Sequence, residues 1–95
     1  MPTFERTARF DRDWAGLDPD DQARFRVVVR RFVADLGSGR FRPGLRVTGV
    51  QGAPGIFEMT WASDGRATFQ FGPKVGSVPH VTWRRIGTHS VLGEP

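Results

Sequence analysis

The sequence has no cysteine, no tyrosine, two histidines and a single lysine. Each shortage removes a class of protein. Without cysteine there is no disulfide scaffold, no thiol nucleophile and no cysteine-based zinc site, and the chain fits a reducing compartment. Two histidines outside any His-Glu-x-x-His pattern argue against a metal enzyme, so no metal ligands are expected. Neither a P-loop nor a dinucleotide fingerprint occurs, and no cofactor is expected. Gly52-Ala53-Pro54-Gly55 has the wrong spacing for either and reads as a turn. No apolar run has the length of a membrane span, and MPTFERTARF has no signal-peptide core. A cytoplasmic protein with no membrane partner is the expectation.

What is present points to one compact domain over residues 1–95. A chain this size buries roughly 60–65% of the surface its unfolded form exposes, enough for one helical layer on one sheet. Eight Phe and three Trp supply the core. Thirteen of the fourteen basic residues are Arg, and the formal charge is +4. Arg suits phosphate because its planar fork donates two hydrogen bonds at once. The charge is also uneven. Residues 1–36 hold seven Arg and seven acids, so the whole excess lies after Gly37.

The first half reads as strand and helices. Phe4, Ala8 and Phe10 share one phase over residues 3–10, predicting a first strand. Residues 11–17 predict a short helical turn that inserts Trp14 and Leu17 into the core. Asp18 then caps a helix, with Pro19 at its first position and Asp20 and Asp21 at the positive end of its dipole. Phe25, Val28, Val29, Phe32, Val33 and Leu36 form its apolar stripe, and Gly37 ends it. Asp20 with Arg24, and Arg31 with Asp35, have the spacing of ion pairs on the wet side. These arginines read as solvated helix decoration.

The second half reads as strands at 45–50, 56–62, 66–72 and 80–86, with a loop from Gly72 to Pro79 and a tail from Gly87. Keeping Phe57, Met59 and Trp61 on the face of Ala67, Phe69 and Phe71 requires an odd loop. A three-residue turn with Gly65 left-handed pairs 61 with 67, 59 with 69 and 57 with 71. The same alternation turns Arg46, Glu58, Thr60, Arg66, Thr68, Gln70, His80 and Arg84 to the opposite face. The expected fold is α+β: an N-terminal strand, one short and one long helix, then an antiparallel sheet of three to four strands with the helices on one face.

An Arg-rich face with one carboxylate suits metal-independent RNA cleavage. That reaction needs a base for the 2′-hydroxyl, an acid for the leaving 5′-oxygen and cations for the phosphorane. Glu58 is the candidate base and His89 the candidate acid. Arg66 is grouped with them, and Arg46, Arg84, Arg85 and His80 are candidate phosphate ligands.

The stretches DWAGLDPDDQARFRVVVRRFVADL, GIFEMTW-ASDGRATFQF and VTWRRIGTHSVL together resemble the RelE/ParE superfamily of bacterial toxin–antitoxin toxins, RelE-like and HigB-like mRNA interferases most. The resemblance covers nearly the whole chain. It implies a ribosome-dependent endoribonuclease acting on mRNA and held inactive by a cognate antitoxin. It sets Glu58 where relatives carry Glu or Lys, Arg66 at the Arg that opens the next strand, and His89 at the tail His or Arg. Thr60 stands where relatives have a second basic residue, and Leu92 where many have Tyr. Two alternatives come with the fold: a non-catalytic RNA- or protein-binding module, and a ParE-like gyrase inhibitor.

Overall fold

The computed structural model describes residues 2–76 and 78–95. Its elements are β1 (Thr3–Arg6), α1 (Ala8–Gly16), α2 (Pro19–Ser38), a 3-10 turn (Pro43–Leu45), β2 (Thr48–Gly49), β3 (Phe57–Thr60), β4 (Gly65–Val75), β5 (Val78–Thr88) and a second 3-10 turn (His89–Gly93). The strands form one sheet in the order β1-β5-β4-β3-β2. β1 runs parallel to β5 and every other pair is antiparallel. The α+β expectation holds, with five strands in place of three to four. No helix among the described residues is long and apolar enough to cross a membrane.

The first strand stops four residues before its expected end. Thr7 is the reason: its hydroxyl accepts from the Phe10 N–H at 3.1 Å and donates to the Arg84 carbonyl at 2.8 Å. It thereby caps α1 and ties the cap to β5. Phe10 therefore enters the core from a helix, one turn before Trp14, and the two rings lie 6.5 Å apart.

α2 begins as read, with the Asp18 side chain accepting from the Asp21 N–H at 2.8 Å. Its stripe packs as expected: Phe25, Phe32 and Leu36 are buried, with Val28, Val29 and Val33 against them. Phe32 is central, with ring centroids 5.0 Å from both Phe69 and Trp83. The helix runs through Gly37 and ends at Gly39, whose φ of 79° is the left-handed cap. The expected ion pairs also change. Arg24 binds Asp21, and Asp35 binds Arg42 beyond the helix end.

The strand expected over 45–50 shrinks to Thr48–Gly49. Pro43 and Gly44 start a 3-10 turn, and Arg46 closes it in a left-handed conformation at φ 48°. The loop expected over Gly72–Pro79 is mostly sheet, since β4 runs to Val75 and β5 starts at Val78; Ser77 lies outside the described residues.

The hairpin keeps its expected phase and shifts its register by two. Phe57 pairs with Phe69, Met59 with Ala67, and Thr60 with Arg66. The loop is Ala62-Ser63-Asp64, closed by Trp61 N–H to Gly65 carbonyl at 3.1 Å. Gly65 is not left-handed. It is needed because the Trp61 indole lies on it: an added Cβ would sit 2.6 Å from Trp61 Cε2. On β5 the alternation breaks once. Thr68 pairs with Arg85 and Phe69 with Trp83, so Arg84 is the extra residue of a β-bulge. The bulge lets both Trp83 and Ile86 reach the core, which strict alternation forbids.

Candidate functional site

Glu58 and Arg66 lie diagonally across β3 and β4 on the face away from the helices. Arg66 Nε is 3.8 Å from Glu58 Oε1, and the two side chains are 15% and 18% exposed. The guanidinium is held in place by the turn beside it, donating to the Gly65 carbonyl at 3.0 Å and the Ala62 carbonyl at 3.5 Å. Thr60 is the direct cross-strand partner of Arg66. His89 is exposed and opens the last 3-10 turn. Arg66 pairs with Gly87 and Gly65 with Thr88, so His89 follows at the end of the sheet that carries Arg66.

The other expected cations are dispersed. Arg84 donates to Gln70 Oε1 and, at 3.0 Å, to the main-chain oxygen of Pro95. Thr68 donates to the same oxygen at 3.2 Å and is fully buried, so the last residues are strapped over the middle of the face. Arg85 is held by Asp13 of α1, at 2.7 Å from Nε and 3.2 Å from Nη2. Burial works against the Asp13 charge, but bonds from Arg85 and the Ile86 N–H outweigh it and hold the carboxyl below its ordinary value. The same bond raises Arg85 above its own.

His80 sits near the opposite end of β5 from His89, between Thr3 Oγ1 at 2.7 Å and Glu5 Oε1 at 2.9 Å. Its bond and that of Thr82 lower the Glu5 carboxyl. Arg46 leaves the sheet face altogether, because its left-handed backbone ends the 3-10 turn ahead of β2. It lies instead in a groove that reaches Arg66.

Glu58 and Arg66 are thus the expected site residues that the fold joins directly. A base, a cation and an imidazole at one end of a sheet can handle a proton and a phosphate charge. Among the described residues no three His, Asp or Glu side chains converge as metal ligands.

No family sequence model matches the chain, and no curated protein resembles it significantly in sequence. Solved structures do match in shape. A metal-bound toxin from Helicobacter pylori superposes with a TM-score of 0.66 at 20% identity, over 97% of this chain and 99% of that one. YafQ from Escherichia coli gives 0.65 at 14% identity, over 97% and 98%. A RelB–RelE antitoxin–toxin complex from Methanococcus jannaschii gives 0.63 at 9% identity, over 95% of each chain.

The chain has the fold of the RelE-like toxins. Sequence reasoning missed three residues that shape the site end of this RelE-like fold: Asp13, Arg31 and Arg42. Asp13 and Arg85 are seventy-two positions apart, so no local spacing joins them. Arg31 and Arg42 both lie within reach of Asp35 in sequence, and spacing alone favoured the wrong one.

Proposed function

We propose that this protein is the toxin of a toxin–antitoxin pair and a metal-independent endoribonuclease that cuts mRNA on the ribosome. The observation that carries the reading is the Glu58–Arg66 pair, built on adjacent strands at the His89 end of the sheet. Glu58 takes the proton of the 2′-hydroxyl as its oxygen attacks the adjacent phosphorus. The bond from phosphorus to the 5′-oxygen breaks, and His89 protonates that oxygen. Products are a 2′,3′-cyclic phosphate and a free 5′-hydroxyl. Arg66 stabilises the charge that builds on the phosphoryl oxygens. The RelE-like fold, and solved complexes of two such toxins with antitoxins, support a cognate antitoxin as partner.

Induced expression of the wild-type chain with mapping of mRNA ends tests the reading. Growth arrest with new ends on translated messages is expected, and arrest should be relieved by His89→Ala or Arg66→Ala. A harmless wild-type chain overturns it.

One observation favours a non-catalytic, protein-binding module of the same fold instead. Arg84, Arg85 and His80 are each already bonded within the chain, which takes them from phosphate. That reading expects neither new mRNA ends nor strong salt-sensitive RNA binding.

A further inference from the structure

Residues 91–95 cross the sheet face that carries Glu58. Val91 anchors them. Its side chain is 5% exposed and packs so closely on β5 that a Cβ at Gly87 would sit 2.9 Å from its Cγ1. Beyond the exposed Gly93, Glu94 and Pro95 bring no side chain into the core. Polar bonds hold them instead. The Pro95 main-chain oxygen accepts from Arg84 Nε at 3.0 Å and from the Thr68 hydroxyl at 3.2 Å. The Glu94 main-chain oxygen accepts from Arg85 Nη1 at 3.1 Å, and its carboxylate accepts from Arg9 Nη2 at 2.9 Å.

Two placements give this segment a consequence for the site. Thr68 is the direct cross-strand partner of Glu58. Residues so opposed carry Cβ atoms about 4.5–5.5 Å apart, so the Pro95 oxygen lies beside the candidate base. Thr68 belongs to the face away from the helices and is nonetheless 0% exposed, with Pro95 over its hydroxyl. Arg84 is bonded on one side to Gln70 within the sheet and on the other to Pro95. The second bond can open without disturbing the strands.

We propose that Glu94 and Pro95 form an autoinhibitory strap: they occupy the Arg84 and Thr68 donors that an RNA phosphate would take, and they must lift before a strand can lie beside Glu58. The proposal deepens the ribonuclease reading above and rests on it. A guanidinium N–H and a hydroxyl converging on one acceptor oxygen suit a phosphoryl oxygen as well as a main-chain one. The strap is also lightly held. The Arg9 and Glu94 side chains are 49% and 73% exposed, and an ion pair so open to water contributes little. Hydrogen bonds exchanged with water are likewise modest in net worth. A strand that binds only the open form competes with the strap, and the closed fraction is subtracted from its affinity. A strap closed about nine-tenths of the time weakens apparent binding about tenfold.

The test compares the full chain with a variant lacking Glu94 and Pro95. The probe is a fluorescently labelled 2′-O-methyl oligouridylate, which has no free 2′-hydroxyl and cannot be cut by this chemistry. The shortened chain is expected to bind it about tenfold more tightly by anisotropy. On ribosome-bound mRNA its KM should fall by a similar factor with kcat unchanged, because a competitor of binding leaves the chemical step alone. Glu94→Gln removes the same charge and keeps both main-chain oxygens, so it should give only a small part of the gain. The intact chain supplies a second measurement that needs no variant to fold. Saturating it with the oligomer should release the Glu94 N–H from the Val91 carbonyl, 3.2 Å away, and speed its hydrogen exchange. Unchanged or weaker binding by a folded shortened chain overturns the proposal, as does a gain matched in full by Glu94→Gln. Unchanged Glu94 exchange at saturation overturns it as well. Tighter binding by the shortened chain while unmodified mRNA stays intact upholds the strap and defeats the ribonuclease reading.

Discussion

Asp35 binds Arg42 and not Arg31. The carboxylate accepts from the Arg42 main-chain N–H, Nε and Nη2, each at 2.8 Å. This one choice ties the end of α2 to the segment that follows and leaves Arg31 without a counter-charge in the groove beside Arg66.

Acid should loosen that tie. The Arg42 side chain and N–H hold the Asp35 carboxyl at about 2 against an ordinary 3.8. A depressed folded-state value means the stabilisation is complete above the ordinary value and is lost as pH falls from there toward 2. Asp35→Asn should lower the melting temperature at pH 7, and the gap to wild type should narrow as the pH of the melt approaches 2. A gap that stays constant over that range removes Asp35 as the cause.

Gly65→Ala should destabilise the β3–β4 turn. The new methyl would meet Trp61 Cε2 at 2.6 Å and Cδ2 at 2.7 Å, and the indole is packed in the core. Overpacking of this kind costs about 1–3 kcal/mol. Urea unfolding followed by tryptophan fluorescence reads both the cost and the displaced ring.

Arg85→Ala should cost about 2 kcal/mol, the worth of hydrogen bonds to a charged group left unpaired. Asp13 would keep only the Ile86 N–H at 3.2 Å among the bonds that now hold it. The double variant Asp13→Asn/Arg85→Ala should be more stable than Arg85→Ala alone, because the stranded charge is gone. Urea midpoints of the three proteins check this.

At the site, Glu58→Gln and His89→Ala should each reduce mRNA cleavage by about a hundredfold or more, the range for loss of a general base or acid. Arg66→Lys should retain part of the activity that Arg66→Ala loses, since it keeps the charge and loses the fork. Primer extension on messages from induced cells provides the measurement.

The α2 stripe, its Asp18 cap and the inward set Met59, Ala67, Phe69, Val81 and Trp83 were legible because helical and strand periods are properties of neighbours along the chain. The resemblance to RelE-like toxins was carried by the same order of elements. Thr7 was harder, since a threonine after an alternating run serves a strand as well as a cap; its bond to the Arg84 carbonyl, from the far end of the chain, is what the cap adds. Alternation put Arg84 on the open face but could not show that it is the extra residue of a bulge. The bulge at Arg84 lets Trp83 and Ile86 both be buried.

The residue pattern alone therefore sufficed for the layers, the core face and the outward placement of Glu58 and Arg66, because burial follows from periodicity over short windows. It could not assign partners to charges. An arginine's side chain reaches several acids at once, and burial, loop direction and long-range docking decide among them. Only the folded chain pairs Asp35 with Arg42, Asp13 with Arg85 and Pro95 with Arg84. Those pairings withdraw Arg84 and Arg85 from the open face and leave Arg31 and Arg46 as the cations available next to Arg66.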